Sequence, residues 1–180
     1  METKDRVRAV AYLLVIPWVL SFPLAGRPQT PSPTPAQQQL REIYKELVEV
    51  NTTNSVGSCT EAAETMAQRL RGVAVPPEDV QIIVPPGAPT KGNLVARYRG
   101  NGAKRPLLLL AHLDVVEAKR EDWERDPFKL VEANGYFYAR GSFDDKAMAA
   151  IFVANLIRYR QEGYRPERDL IIALTCDEES

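Results

Sequence analysis

Two continuous apolar runs constrain the fold of this chain more than any other feature: PLLLLAH at residues 106–112 and DLIIALT at residues 169–175. Each has the length of one strand, and neither shows the alternation of polar and apolar residues that marks a strand with one face in water. Such runs are typical of strands covered on both faces, as in a parallel sheet that lies between helices. We therefore expect two buried strands.

Patterns elsewhere in the chain predict the remaining elements. FKLVEANGYFYA alternates around Asn134 and Gly135, a pair favoured in tight hairpin turns. VQIIV and NLVARY are typical of shorter strands, and apolar residues recur at helical spacing in three segments. These segments are residues 36–50, about 60–72 and about 145–160. Helices interleaved with buried strands predict an α/β domain, with a mostly parallel sheet flanked by helices.

The amino-terminal residues predict a targeting segment. Three basic residues, Lys4, Arg6 and Arg8, precede an uncharged apolar stretch at residues 9–20. This layout is that of a secretory signal peptide, which we place at residues 1–25. We therefore expect an exported protein, periplasmic or extracellular. An uncleaved membrane anchor is the alternative, although the stretch is shorter than the roughly 20 residues that span a bilayer.

A proline-rich stretch follows the predicted signal peptide. We interpret residues 26–37 as a linker and residues 38–180 as one folded domain. This domain contains both cysteines of the chain, Cys59 and Cys176. Because Cys176 directly continues the second apolar run, we place it in a buried strand and do not expect a disulfide bond between the two cysteines.

The charge composition indicates that function must come from a local site. Lys and Arg total 23 against 24 for Asp and Glu, which gives no electrostatic reason to expect a nucleic acid as partner. Candidate residues follow the two apolar runs directly. His112 and Asp114 come after PLLLLA, and Asp177, Glu178 and Glu179 come after DLIIALTC.

Acidic residues also follow the hairpin, where Asp144 and Asp145 precede the third helix. Ligands of open α/β sheets bind beyond the carboxyl ends of the strands, so we expect these clusters to meet. Imidazole nitrogen and carboxylate oxygen are the ligands that zinc takes in catalytic sites. Asp114, two residues past His112 on an extended chain, points to the same side and can accept the second ring N–H of that histidine. The sequence thus predicts a metal site.

Each cluster also has a simpler interpretation. A single histidine at a strand end is often only hydrogen bonded, and Asp144 and Asp145 could cap a helix. Glu178 and Glu179 could lie in a solvated loop. The position of all three clusters, directly after strands or a hairpin, favours a functional site over these alternatives.

Three blocks of sequence carry a resemblance to a known family: LLLLAHLDVV, DWERDPFKLVEANGYFYARGSFDDKA and LIIALTCDEES. In this order they resemble the signature blocks of the dinuclear zinc exopeptidases and deacylases. That family is typified by carboxypeptidase G, carboxypeptidase S, aminoacylase, acetylornithine deacetylase, succinyl-diaminopimelate desuccinylase and carnosinase. The similarity extends from about Gln38 to the end of the chain. It implies the catalytic-domain fold of a zinc exopeptidase.

The resemblance implies a role for each residue of the predicted metal site. His112 would be a ligand of one zinc, Glu179 a ligand of the second, and Asp144 the carboxylate that bridges both. Asp114 would orient His112, and Glu178 would act as the general base. The implied cofactor is a pair of Zn²⁺ ions, with Co²⁺ or Mn²⁺ as substitutes.

The implied activity is metal-dependent hydrolysis of an amide bond in a small peptide or an N-acyl amino acid. Members of the family have further metal ligands and a smaller dimerisation domain beyond the Glu-Glu block. We therefore expect residues 38–180 to be the amino-terminal part of a catalytic domain, inactive by itself, and the whole protein to be a homodimer. Two alternatives are a non-catalytic binding module or pseudoenzyme of the same fold, and a metal-free hydrolase with paired carboxylates.

Overall fold

A computed structural model describes residues 32–180 of the chain. The predicted signal peptide, residues 1–25, and residues 26–31 of the predicted linker lie outside the described residues. Within 32–180, none of the helices is both long enough and apolar enough to cross a bilayer. This part of the chain forms three α-helices and six strands, with two short 3₁₀ turns.

The three helices lie close to where the sequence predicts them. Helix α1 spans Pro35–Glu49, helix α2 spans Cys59–Gly72 and helix α3 spans Lys146–Gln161. Helix α1 begins inside residues 26–37, the predicted linker, because Thr34 and Gln37 form a reciprocal capping box and Pro35 suits a first helical turn. At the start of α2, the hydroxyl of Ser58 accepts a hydrogen bond from the backbone N–H of Glu61.

The six strands form a large sheet and a separate hairpin. They are β1 Val80–Ile83, β2 Asn93–Tyr98, β3 Leu107–His112, β4 Val131–Ala133, β5 Tyr136–Tyr138 and β6 Leu170–Thr175. Strands β4 and β5 pair with each other around the predicted turn. Both turn residues have positive φ, 53° at Asn134 and 81° at Gly135, which the tight hairpin turn requires.

The large sheet is mixed, which corrects the prediction of a mostly parallel sheet. Its strand order is β1-β2-β6-β3. Strands β3 and β6 are parallel, whereas β2 is antiparallel to both of its neighbours, β1 and β6. A parallel pair needs a crossover, and the connection between β3 and β6 contains α3. The connection between β1 and β2 contains no helix, so the chain reverses direction there.

The helices cover one face of the large sheet. Side chains from β2, β3 and β6 form a single buried core with the apolar faces of all three helices. They include Leu94, Ala96, Ala111, Ile172 and Leu174. Since these residues occupy alternate positions along their strands, all of them point to the same side of the sheet.

The opposite face of β3 is exposed within residues 32–180. Leu108 and Leu110 are 59% and 60% exposed. The prediction that both faces of this strand are covered is therefore wrong for the described residues. A continuous apolar run shows that both faces of a strand are apolar, but it does not show what packs on each face.

The two cysteines form a disulfide bond, contrary to the expectation from the sequence. Strand β6 ends at Thr175, so Cys176 is the first residue beyond the strand and its side chain is not confined to the sheet. Cys176 is bonded to Cys59, the first residue of α2, and their Cα atoms lie 6.0 Å apart. The bond joins the loop after β6 to α2 across 117 residues of sequence.

Candidate metal centre

Parallel pairing brings the carboxyl ends of β3 and β6 together. His112, the last residue of β3, lies opposite Thr175, the last residue of β6. The backbone N–H of Leu113 donates to the carbonyl oxygen of Thr175 at 2.7 Å, so the pairing continues past the strand ends. The residues after β6 are therefore held beside those after β3, as predicted from the order of strands and polar clusters.

His112 is buried and contacts two acidic residues through different ring nitrogens. Its Nδ1 lies 3.0 Å from the backbone carbonyl oxygen of Asp114, and its Nε2 lies 3.0 Å from Oδ1 of Asp144. If the hydrogen on Nδ1 is donated to this carbonyl, Nε2 keeps its electron pair. His112 then presents Nε2 to the acidic residues in the orientation that a metal ligand needs.

The carboxylate of Asp114 makes its main contact with the other strand end. Its Oδ1 lies 3.6 Å from Nδ1 of His112, beyond ordinary hydrogen-bond distance. Its Oδ2 accepts a hydrogen bond from the backbone N–H of Glu179 at 2.7 Å. Asp114 therefore orients His112 mainly through its backbone carbonyl, while its side chain holds the backbone of Glu179.

Glu178 and Glu179 approach His112 from the loop after β6. One carboxylate oxygen of each and one ring nitrogen of His112 all lie within 4.8 Å of one another. Oε2 of Glu178 is 4.0 Å from Nε2 of His112. Asp177, which precedes these two glutamates, forms an ion pair with Lys91. Of the three adjacent carboxylates, those of Glu178 and Glu179 therefore lie near His112, whereas that of Asp177 binds Lys91.

Asp144 and Asp145 lie at the start of α3 and are joined by a cis peptide bond. Asp145 occupies the N-cap position of α3, but its side chain makes no capping hydrogen bond. Asp144 contacts the ring of His112, and its side chain is 70% exposed. The arrangement favours a role in the site for Asp144 over the alternative that these residues only cap the helix.

Burial and nearby charges shift the pKa values of two groups in the site. Burial alone lowers the pKa of His112, but its hydrogen bonds and the negative charges of Asp114 and Asp144 raise it, and the net direction is upward. Burial raises the pKa of Asp145. Interactions with His112 oppose that rise, and the charges of Asp144 and Glu178 add to it. This concentration of carboxylates around one imidazole favours the binding of a cation.

Two lysines near the site were not predicted from sequence patterns. Lys146 is fully buried, and its Nζ donates to the carbonyl oxygen of Val50 at 2.6 Å. Burial lowers the pKa of Lys146 to about 7, and the negative charge of Asp114 opposes this shift. A charged residue on the core side of an apolar helix was the available signal for Lys146. Lys91 lies in the loop before β2, where no periodicity predicts its contacts.

The donor atoms of this site fit a divalent metal such as zinc. His112 supplies a nitrogen, and Asp144, Glu178 and Glu179 supply carboxylate oxygens, which are the ligand types that zinc takes in catalytic sites. Oδ1 of Asp114 is buried and has no hydrogen-bond partner among the described residues. A buried carboxylate oxygen without a partner is costly unless a positive charge lies nearby, and the charge of Lys146 offsets part of that cost. The site therefore has the composition and the charge of a metal centre.

Known proteins share the sequence of this region. Residues 108–180 match the model of Peptidase family M20/M25/M40. Over 77 residues the chain is 44% identical to the N-fatty-acyl-amino acid synthase/hydrolase PM20D1 of Mus musculus, a match that covers 42% of this chain and 15% of that protein. Over 89 residues it is 42% identical to the succinyl-diaminopimelate desuccinylase of Delftia acidovorans, covering 48% of this chain and 23% of that protein. The matches thus span less than a quarter of either relative.

A solved structure shares the fold. The dipeptidase Dug1p from Saccharomyces cerevisiae superposes with a TM-score of 0.65 at 23% sequence identity. The superposition covers 79% of this chain and 33% of that one. It confirms the predicted α/β fold, with a mixed sheet in place of a mostly parallel one. The match of residues 108–180 to the model of Peptidase family M20/M25/M40 also confirms the resemblance carried by the three sequence blocks.

Proposed function

We propose that residues 38–180 form the metal-binding part of a hydrolase that cleaves an amide bond with the help of two zinc ions. The observation that carries this proposal is the meeting of His112, Glu178 and Glu179, whose ligand atoms lie within 4.8 Å of one another. A further carboxylate, that of Asp144, lies 3.0 Å from the ring of His112. The family match over residues 108–180 supports hydrolysis as the type of reaction.

Three residues would hold the metal ions: His112, Asp144 and Glu179. His112 is oriented by the carbonyl of Asp114, which leaves Nε2 for the metal. The backbone of Glu179 is fixed by the side chain of Asp114. Asp144 has two carboxylate oxygens and can therefore serve two ions at once. When bound, zinc supplies Lewis acidity toward a water molecule and toward the substrate carbonyl. The same ligands would also bind Co²⁺ or Mn²⁺.

Glu178 is the proposed general base. Its carboxylate is largely exposed and lies 4.0 Å from Nε2 of His112, beside the proposed ligands. From this position it can accept a proton from the attacking water and return it to the leaving amine. Adjacent side chains leave the backbone in different directions, so Glu178 and Glu179 can take different roles.

The proposed substrates are small molecules with an amide bond, namely dipeptides and N-acyl amino acids. The names of the relatives support this class, since they describe an N-fatty-acyl-amino acid synthase/hydrolase, a desuccinylase and a dipeptidase. Dimerisation of the whole protein stays a prediction. For the 180-residue chain alone we expect metal binding without turnover. Three proposed ligand residues serve two proposed ions, whereas a catalytic zinc ion usually has three protein ligands of its own.

Export from the cytoplasm is part of the proposal. The disulfide bond between Cys59 and Cys176 supports it, because stable disulfide bonds are typical of oxidising compartments such as the periplasm and the extracellular space. Cell fractionation followed by detection of the mature amino terminus tests this. Recovery of the protein in the cytoplasm with Met1 retained and both thiols reduced would contradict export.

A hydrolysis assay with and without metal tests the proposed function. The complete gene product is given dipeptides and N-acyl amino acids before chelation, after exhaustive chelation, and after addition of Zn²⁺ or Co²⁺. We expect hydrolysis to stop on chelation and to return with the metal. Hydrolysis that survives chelation would instead support a metal-free mechanism. A protein that binds no zinc and cleaves neither class of substrate would be a binding module.

A further inference from the structure

Building on the proposed metal centre, we propose that Lys91 is a positioning residue that sets the metal affinity of the site without contacting the metal. Lys91 acts on the acidic loop, which we define as residues 176–180 and which carries Glu178 and Glu179. The contact between Lys91 and this loop is made through Asp177, the acid that does not face His112.

The side chain of Lys91 is held on both sides of its ammonium group. Nζ forms an ion pair with Oδ1 of Asp177 and lies 2.6 Å from Oδ1 of Asn54. Only 18% of the Lys91 side chain is exposed. Ion pairs between fully exposed side chains contribute little because both partners are mobile and screened. Lys91 is largely buried and has a second acceptor, so its position is better defined than that of a surface lysine.

Asp177 is the residue at which the acidic loop turns. Its φ is 70°, in the left-handed region that a residue with a Cβ seldom occupies without support from its surroundings. Asp177 lies between the disulfide-bonded Cys176 and the first glutamate of the site. The conformation at Asp177 therefore determines the direction in which Glu178 and Glu179 leave the backbone.

The segment that carries Lys91 is itself fixed in place. The side-chain amide of Asn93 donates to the carbonyl oxygen of Lys91 at 3.0 Å, and its Oδ1 accepts from the backbone N–H of Cys176, also at 3.0 Å. The N–H of Gly92 donates to Oγ1 of Thr60 in α2 at 2.8 Å. A Cβ on Gly92 would lie 2.6 Å from that oxygen, so the segment packs tightly against the helix. The segment around Lys91 thus contacts α2 through Gly92 and the acidic loop through the ion pair with Asp177, so it fixes the loop relative to the helix.

Charge and position predict opposite effects when Lys91 is replaced. Removal of its positive charge makes the surroundings of the site more negative, and by charge alone this tightens the binding of a cation. Removal of the anchor at Asp177 lets the acidic loop depart from the conformation that brings Glu178 and Glu179 toward His112, and this weakens binding. The sign of the change in metal affinity therefore separates a positioning role from a purely electrostatic one.

Competition with a chromophoric chelator measures the Zn²⁺ affinity of the 180-residue chain and its variants. We expect Lys91→Met to weaken binding about tenfold, the lower end of the usual effect of residues that orient metal ligands. Lys91→Arg, which keeps the ion pair, should retain most of the affinity. Lys104→Met is the matched control, because Lys104 pairs with Glu167 near the start of β3, at the other end of the sheet, and should change nothing. Equal or tighter Zn²⁺ binding by Lys91→Met would overturn the positioning role of Lys91 without contradicting the proposed metal centre.

Amide hydrogen exchange tests the positioning role without any metal. In the chelated chain we expect the backbone amide of Glu179, which donates to Oδ2 of Asp114, to exchange several-fold faster in Lys91→Met than in the wild type, with no change in Lys104→Met. Unchanged exchange in Lys91→Met would overturn the proposal. A wild-type chain that binds no zinc would overturn the proposed metal centre, and the exchange rates would still decide whether Lys91 holds the loop.

Discussion

The backbone N–H of Glu179 donates to Oδ2 of Asp114 at 2.7 Å, across the carboxyl ends of β3 and β6. This bond connects Asp114, two residues past His112, to the loop that carries both glutamates. The other carboxylate oxygen of Asp114 is buried and has no hydrogen-bond partner within residues 32–180. One carboxylate therefore fixes the backbone of a proposed metal ligand and keeps a negative charge beside His112.

Replacement of Asp114 by asparagine is expected to lower the Zn²⁺ affinity about 10- to 100-fold, as is usual when a group that orients metal ligands is lost. Asparagine keeps the shape and one acceptor but removes the charge. Calorimetric titration of the 180-residue chain measures the effect. Asp122→Asn, a change in an exposed 3₁₀ turn, serves as the control. Wild-type affinity in Asp114→Asn would show that this carboxylate has no part in metal binding.

The two glutamates of the acidic loop are expected to respond differently to the same change. Glu179→Gln should weaken Zn²⁺ binding at least about tenfold, because a ligand is lost. Glu178→Gln should leave binding close to that of the wild type and abolish amide hydrolysis by the complete gene product, because a general base is lost. Zinc titrations and activity assays on both variants make the comparison. The reverse pattern would exchange the two assigned roles.

Reduction of the disulfide bond is expected to destabilise the fold by about 2–5 kcal/mol, since the bond closes a long loop in the unfolded chain. The bond joins Cys59 to Cys176 across 117 residues. Urea unfolding with and without a reductant measures the change in free energy of unfolding. Cys59→Ser, which cannot form the bond, should be insensitive to the reductant. Equal unfolding midpoints for the oxidised and reduced wild type would contradict the expectation.

Asp169 is expected to make stability depend on pH. Its carboxylate accepts hydrogen bonds from the N–H of Gly100 at 2.7 Å and from Nε of Arg97 at 2.8 Å, and these contacts lower the pKa of Asp169. A carboxyl whose pKa is lower in the folded state stabilises the fold above its unfolded value of 3.8, and this contribution is lost as the pH falls through the folded value.

Asp169→Asn should therefore reduce the free energy of unfolding by about 1–3 kcal/mol at neutral pH. The difference between the variant and the wild type should narrow as the pH falls below 3.8, the unfolded value. Urea unfolding curves of both proteins across this range provide the measurement. A difference that stays constant with pH would show that the ionised carboxylate does not stabilise the turn before β6.

The sequence predicted the positions of the site residues better than it predicted the direction of the strands and the covering of the sheet. His112 ends one apolar run and Glu179 comes shortly after the other, and parallel pairing of β3 with β6 places both at one edge of the sheet. The orientation of β2 could not be predicted, because an alternating strand fits an antiparallel or a parallel neighbour. Whether Leu108 is buried depends on what packs against the face of β3 opposite the helices, and the periodicity of the sequence does not show this.

The contacts that fix the acidic loop could not be predicted from patterns in the sequence either. The disulfide bond depends on β6 ending one residue before Cys176, and strand ends are the least certain feature of a sequence-based prediction. The pairing of Lys91 with Asp177 joins residues 86 positions apart in two loops. Neither loop has a periodicity that would predict which side chains meet.

Titration of the 180-residue chain with Zn²⁺, compared with His112→Gln, tests the central claim most directly. His112 is the only histidine of the chain and the only nitrogen donor of the proposed centre. We expect saturable binding by the wild type and at least about 100-fold weaker binding by His112→Gln, with equal thermal unfolding of both proteins in a chelator. No saturable binding by the wild type, or undiminished binding by His112→Gln, would contradict a metal centre built on this residue.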